Sequence, residues 1–99
     1  MKKAIRGSLR VQLQTDKDQI LQDINQYPLW KLNATDSQDE AGISVFVFEL
    51  WLENNTDEVA LWEQVKTHCN TFGGTVDRHD CTHDEPSPRP CVIAETYAR

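Results

Sequence analysis

The stretch ISVFVFELWLE, residues 43–53, constrains the fold of this chain more than any other. β-Branched and aromatic residues dominate it, and such side chains suit a pleated, buried surface. Because side chains alternate along a strand, Phe46, Phe48, Leu50 and Leu52 share one side, while Val45, Val47, Glu49 and Trp51 share the other. The first set predicts a face turned toward a layer of helices. The second set should meet water if the sheet is covered on one side only, yet three of its four residues are apolar. An apolar patch with a tryptophan and flanking charge is what a subunit or partner interface requires. The alternatives are a few singly exposed valines, or a C-terminal segment folded over them.

The remaining segments supply the partners of that strand. AIRGSLRVQLQ alternates, with Ile5, Leu9, Val11 and Leu13 on one face and Arg6, Ser8, Arg10 and Gln12 on the other. As the neighbouring strand it would set an arginine across from Glu49. TDKDQILQDINQYP reads as a helix with Thr15 as N-cap, an apolar stripe of Ile20, Leu21, Ile24 and Tyr27, and a stop at Pro28. LWKLNAT predicts a short strand and DSQDEAG an acidic turn. NNTDEVALWEQVKTHCNTFGG predicts a second helix, with Val59, Trp62, Val65, Cys69 and Phe72 as its stripe and Gly73-Gly74 as its end. The tail reads as two weaker strands around a proline-bearing loop.

The order is β-α-β-β-α-β with one extra strand. Over roughly residues 3–84 it resembles the ferredoxin-like plait, an α+β fold in which two helices cover one face of an antiparallel sheet. The expectation is a single domain over residues 1–99, with the extra C-terminal strand or hairpin added to the plait. This plait hosts many unrelated functions, so the resemblance implies little about activity.

A formal charge of −6 argues against binding a nucleic-acid backbone and suits a basic protein partner or a metal ion. No apolar run approaches the roughly 18 residues of a membrane span, so no membrane association is expected. MKKAIRGSLRV is not followed by an apolar block, so no signal peptide is expected and the cytoplasm is the default. Cysteines there usually stay reduced. Asp36, Asp39 and Glu40, and separately Asp77, Asp80, Asp84 and Glu85, form acidic runs that read either as solvated loops or as a docking surface for a basic partner.

HDCTHDEPSPRPC, residues 79–91, carries the densest chemistry. On a strand, His79, Cys81 and His83 project from one side at intervals of about 6.7 Å. A hairpin centred on Pro86 would bring Cys91 opposite Cys81, giving nitrogen and sulfur ligands of the kind zinc prefers. The same register would set Asp77 opposite Glu95, a like-charge pair that opposes it. The spacing matches no strong zinc signature, and a fourth ligand would have to come from Asp84, the second hairpin histidine, or His68 and Cys69 at the end of the second helix. Reduced, packed cysteines and a cross-strand disulfide are the competing readings, with Cys69 a core residue of the helix stripe. A catalytic thiol at Cys81 has imidazoles beside it, but its aspartate neighbours oppose thiolate formation and no nucleophile motif surrounds it.

The sequence therefore predicts a binding protein rather than an enzyme. Its interaction surface would be Val45, Val47, Glu49 and Trp51 with Arg6 and Arg10, meeting a second copy or another protein, and it would need no cofactor. The alternatives are a zinc protein using His79, Cys81, His83 and Cys91, and third a thiol enzyme.

Overall fold

The computed structural model of the chain describes residues 2–81 and 92–99, with Lys2, Cys81 and Val92 described by their backbone alone. The elements are β1 (Lys2–Leu9), α1 (Gln14–Ile24), β2 (Leu29–Gln38), β3 (Ser44–Leu52), α2 (Glu58–Phe72), β4 (Gly74–Cys81) and β5 (Val92–Ala98). They form one antiparallel sheet in the order β2-β3-β1-β4-β5 with two helices. The first four strands lie in the order of the ferredoxin-like plait. β5 is added outside β4, so the sheet is not strictly that of the four-stranded plait.

The two-sided strand takes the place its composition requires, with β1 on one side and β2 on the other. Phe46, Phe48, Leu50 and Leu52 face the helices and join Ile5, Leu9, Ile20, Ile24, Leu61, Trp62, Val65, Cys69 and Val76 in one core. Gly7 makes that core possible. It lies between Phe48 of β3 and Val76 of β4, and a Cβ there would sit 2.8 Å from Val76 Cγ1 and closer still to the Phe48 ring. The glycine thus gives the phenylalanine room to lie over β1.

Local signals set the ends of α2. The Asp57 carboxylate accepts from the Ala60 N–H, a side-chain N-cap, and Gly73 at φ 85° closes the helix while its N–H bonds to Cys69 O. β5 extends the sheet beside α2, and polar contacts cover its helix-side residues. Trp62 Nε1–H donates to Glu95 at 2.9 Å, Lys66 lies over the rings of Trp62 and Tyr97, and Arg78 reaches Glu58 at 2.7 Å and Glu95 at 3.6 Å.

Several local expectations are corrected. β1 stops at Leu9 rather than running through Leu13; Val11 is still buried, but Leu13 is 62% exposed. α1 starts at Gln14 after Leu13, which gives no side-chain cap, so Thr15 lies inside the helix rather than capping it. β2 runs on to Gln38, because Asp36, Ser37 and Gln38 pair with Phe46, Val45 and Ser44. Val59 is 73% exposed, and Leu61 takes its place on the buried stripe. No helix among the described residues is long and apolar enough to cross a membrane, which says nothing of a β-barrel.

Candidate functional site

The sheet face opposite the helices is built in rows that the strand register fixes. One row holds Lys31, Trp51, Ala4, His79 and Ile93 on β2, β3, β1, β4 and β5. The next holds Asn33, Glu49, Arg6, Asp77 and Thr96, and a third holds Thr35, Val47, Ser8, Thr75 and Ala98. An irregularity between Leu29 and Lys31 leaves Trp30 as the extra residue of β2 and lets it pack on Trp51.

The first row is largely closed. Trp51 is 0% exposed, whereas the sequence suggested an exposed tryptophan anchor. The Trp30 ring packs on it at 5.7 Å between centroids, and the Trp51 indole N–H donates to Glu49. Glu49 in turn takes Arg6 Nε at 3.0 Å. The expected arginine across from Glu49 is therefore Arg6, and the trio supports an aromatic ring rather than presenting it. Val45 is also buried, and Val47 is half-buried.

Arg10 leaves this face altogether. With β1 ending at Leu9, alternation ceases, and the Arg10 guanidinium lies by Gly73 at the end of α2. Its charge, with that of Arg99, works against the burial that raises the Cys69 thiol's pKa. Cys69 itself is a core residue whose Sγ–H points to Gly74 O.

The exposed half of the face is therefore the second and third rows: Asn33, Thr35, Thr75, Thr96 and Ala98 meet solvent, around the half-buried Val47 and Ser8. Two shallow depressions, of about 290 and 220 Å³, lie on either side of Val47 and Glu49. The first is flanked by Asn33 and Thr35, the second by Arg6, Ser8, Thr75 and Asp77. Trp30, Lys31, Thr35 and Thr75 belong to this surface although sequence reasoning passed over them. The alternation of β2 could have indicated Lys31 and Thr35; nothing local marks the bulge at Trp30.

Charge is balanced among the described side chains of the face. Lys31 and Arg6 stand against Glu49 and Asp77. Arg6 and Glu49 pair with each other, while Lys31 and Asp77 have no ion pair or side-chain hydrogen bond among the described residues. Lys31 lies on β2 and Asp77 on β4, about 14 Å apart at the usual strand spacing.

His79 is the buried polar group of this face, 3% exposed, and neither ring nitrogen is hydrogen-bonded among the described residues. Burial lowers its pKa, helped by Arg6 and opposed by Asp77 and Glu49, so the ring is held neutral. A neutral imidazole is the metal-binding form. No group of three His, Cys, Asp or Glu that could hold a metal occurs among the described residues. His83 and Cys91 lie outside them, as do Asp84, Glu85 and the Cys81 side chain, so the hairpin ligand set and the thiol reading fall on residues not described.

The register near the hairpin is nonetheless informative. Asp80 pairs with Val92 and His79 with Ile93, as a loop centred on Pro86 would give. A bulge between Arg78 and His79 then shifts the ladder, so Glu95 meets Arg78 and Asp77 meets Thr96. The like-charge pair that opposed this register is thereby removed.

Three described members of the acidic runs are used internally. Asp36 pairs with Lys17 at 2.7 Å and Asp80 with Lys3 at 2.8 Å, while the Asp39 carboxylate accepts from the Ala41 and Ile43 amides to shape the β2–β3 turn. Lys3 correspondingly holds the Asp80 carboxyl below its ordinary range. His68 on α2 meets Asp23 of α1 at 3.2 Å.

No protein-family model and no curated protein matches the chain. Among solved structures it is similar to a formyltetrahydrofolate deformylase from Pseudomonas putida KT2440, with a TM-score of 0.52 and 13% identity. The match covers 84% of this chain and 30% of the deformylase chain, so this chain spans under a third of that protein. At that identity the likeness shows the fold: an α+β, ferredoxin-like arrangement.

Proposed function

We propose that the protein is a small interaction module that self-associates through the exposed half of its helix-free sheet face. The observation that carries this reading is electrical. The chain bears −6 overall, yet the charged side chains described on this face, Lys31, Arg6, Glu49 and Asp77, balance one another. Two strongly acidic copies approach with least repulsion over a neutral surface. Small hydroxyl and apolar side chains around Val47 make that surface flat enough to pack against another sheet.

Charge introduced at Thr35 and Thr75 tests the reading. Both residues are exposed, so a Thr35→Glu/Thr75→Glu chain should fold as the wild type does. Sedimentation equilibrium should show a concentration-dependent dimer for the wild type between about 1 µM and 1 mM, and a monomer for the variant. A wild type that stays monomeric throughout, or a variant that dimerises as well, refutes the proposal. Trp51 is unsuitable for this purpose, since a charge there would disrupt the fold.

Zinc binding is a second reading that keeps one observation in its favour, the neutral His79 ring whose two nitrogens have no hydrogen-bond partner among the described residues. Elemental analysis of protein purified without chelator tests it. Stoichiometric zinc that is lost in a His79→Gln variant supports zinc binding, and metal-free protein ends it.

A further inference from the structure

We infer that two copies meet about a two-fold axis running parallel to the strands between β3 and β1, with Lys31 of each copy set against Asp77 of the other. This inference rests on the self-association proposed above and specifies its geometry. From β2 to β4 the strands carry Lys31, Glu49, Arg6 and Asp77 in turn, so the charge sign alternates across the face. Reversing that sequence inverts every sign.

Only one of the in-plane two-folds exploits this property. A closed dimer is isologous, so the same face supplies both sides of the contact. An axis along the strands, between β3 and β1, lays β2 of one copy over β4 of the other and β1 over β3. Lys31 then faces Asp77, and Arg6 faces Glu49, in both halves of the interface. An axis across the strands lays β2 over β2 and β4 over β4, so every charge stays over a strand bearing its own sign.

Lys31 and Asp77, which stand in adjacent rows, make no ion pair or side-chain hydrogen bond among the described residues. Lys31 stands one row from Asp77 along the strand direction, about 6.7 Å. The long side chain of Lys31 covers that offset. Arg6 and Glu49 already satisfy each other within one copy, so Lys31 and Asp77 set the orientation.

Charge reversal tests this directly, read by sedimentation equilibrium with thermal unfolding as the folding control. Lys31→Glu and Asp77→Lys should each weaken self-association by about tenfold or more, because like charges then face each other. An equimolar mixture of the two variants should form a heterodimer within about threefold of the wild-type affinity, as every outer contact is again complementary. The milder Lys31→Gln and Asp77→Asn variants should weaken association less and leave it less sensitive to salt. Reversals without effect, or a mixture no tighter than its components, overturn the orientation while leaving the face reading intact. A monomeric wild type overturns both.

Discussion

Substituting Gly7 by alanine should destabilise this protein far more than one added methyl suggests. β1 is the central strand, and Gly7 is flanked in register by Phe48 and Val76, which are 2% and 0% exposed. The new Cβ would stand 2.8 Å from Val76 Cγ1, where carbon atoms rest at about 3.5–4.0 Å, and it would also press into the edge of the Phe48 ring. Neither side chain can retreat freely, because both are enclosed in the core. Overpacking of this kind costs about 1–3 kcal/mol, and a collision on two sides belongs at the upper end. A loss of about 2–3 kcal/mol lowers the melting temperature by roughly 10–20 °C in a domain of this size. Urea unfolding followed by tryptophan fluorescence measures the difference. The same reasoning requires coupling: in a Phe48→Leu background the alanine should cost about 1 kcal/mol less, since the smaller side chain leaves room for it. A Gly7→Ala change within about 0.5 kcal/mol of wild type, or a cycle with no coupling, refutes this account of the core.

Trp51→Ala should lower stability by about 3–5 kcal/mol, as for other buried aromatic rings, and denaturant titration distinguishes that loss from a surface effect near zero. His68 and His79 both have pKa values lowered from 6.5, in each case chiefly by burial. The unfolded chain therefore takes up protons first, so stability should be complete above pH 6.5 and fall as the pH drops below it. Unfolding curves at successive pH values should show that slope, and it should shrink in a His68→Gln/His79→Gln variant; an unchanged slope contradicts the assignment. Cys69, buried and with its thiol pKa raised, should resist alkylation near neutral pH in the native state and react in denaturant, as site-resolved mass spectrometry would show.

The elements were legible where burial imposes a period. Phe46, Phe48, Leu50 and Leu52 could be assigned to one face because only one side of a strand can meet the helices, and the Gly73 stop of α2 follows from the left-handed conformation glycine accepts. The strand ends were not legible, because pairing rather than side-chain character sets them. Asp36, Ser37 and Gln38 read as a turn, but β2 is an edge strand whose backbone pairs with β3 whatever its side chains carry. Conversely, Val11 continues the apolar alternation and is buried although β1 has already ended.

The candidate site was legible in its members more than in its state. Glu49 and Arg6 were expected to meet and do, at 3.0 Å. The burial of Trp51 was hidden because the bulge at Trp30 has no local sequence mark. Arg10 was misplaced for the reason that Leu13 was, since alternation carried past Leu9 puts it on the wrong side. The bulge at Arg78 sets Arg78 opposite Glu95, a pairing between strands that a reading of each strand alone does not contain.

The most direct test of the proposed interaction face is an amide NMR dilution series from about 1 mM downward, with assigned resonances. Dilution should shift the signals of Asn33, Thr35, Val47, Ser8, Thr75 and Asp77 together along one binding curve, while the exposed residues of α1 and α2 stay still. A spectrum independent of concentration, or shifts concentrated on the helices, would contradict the account.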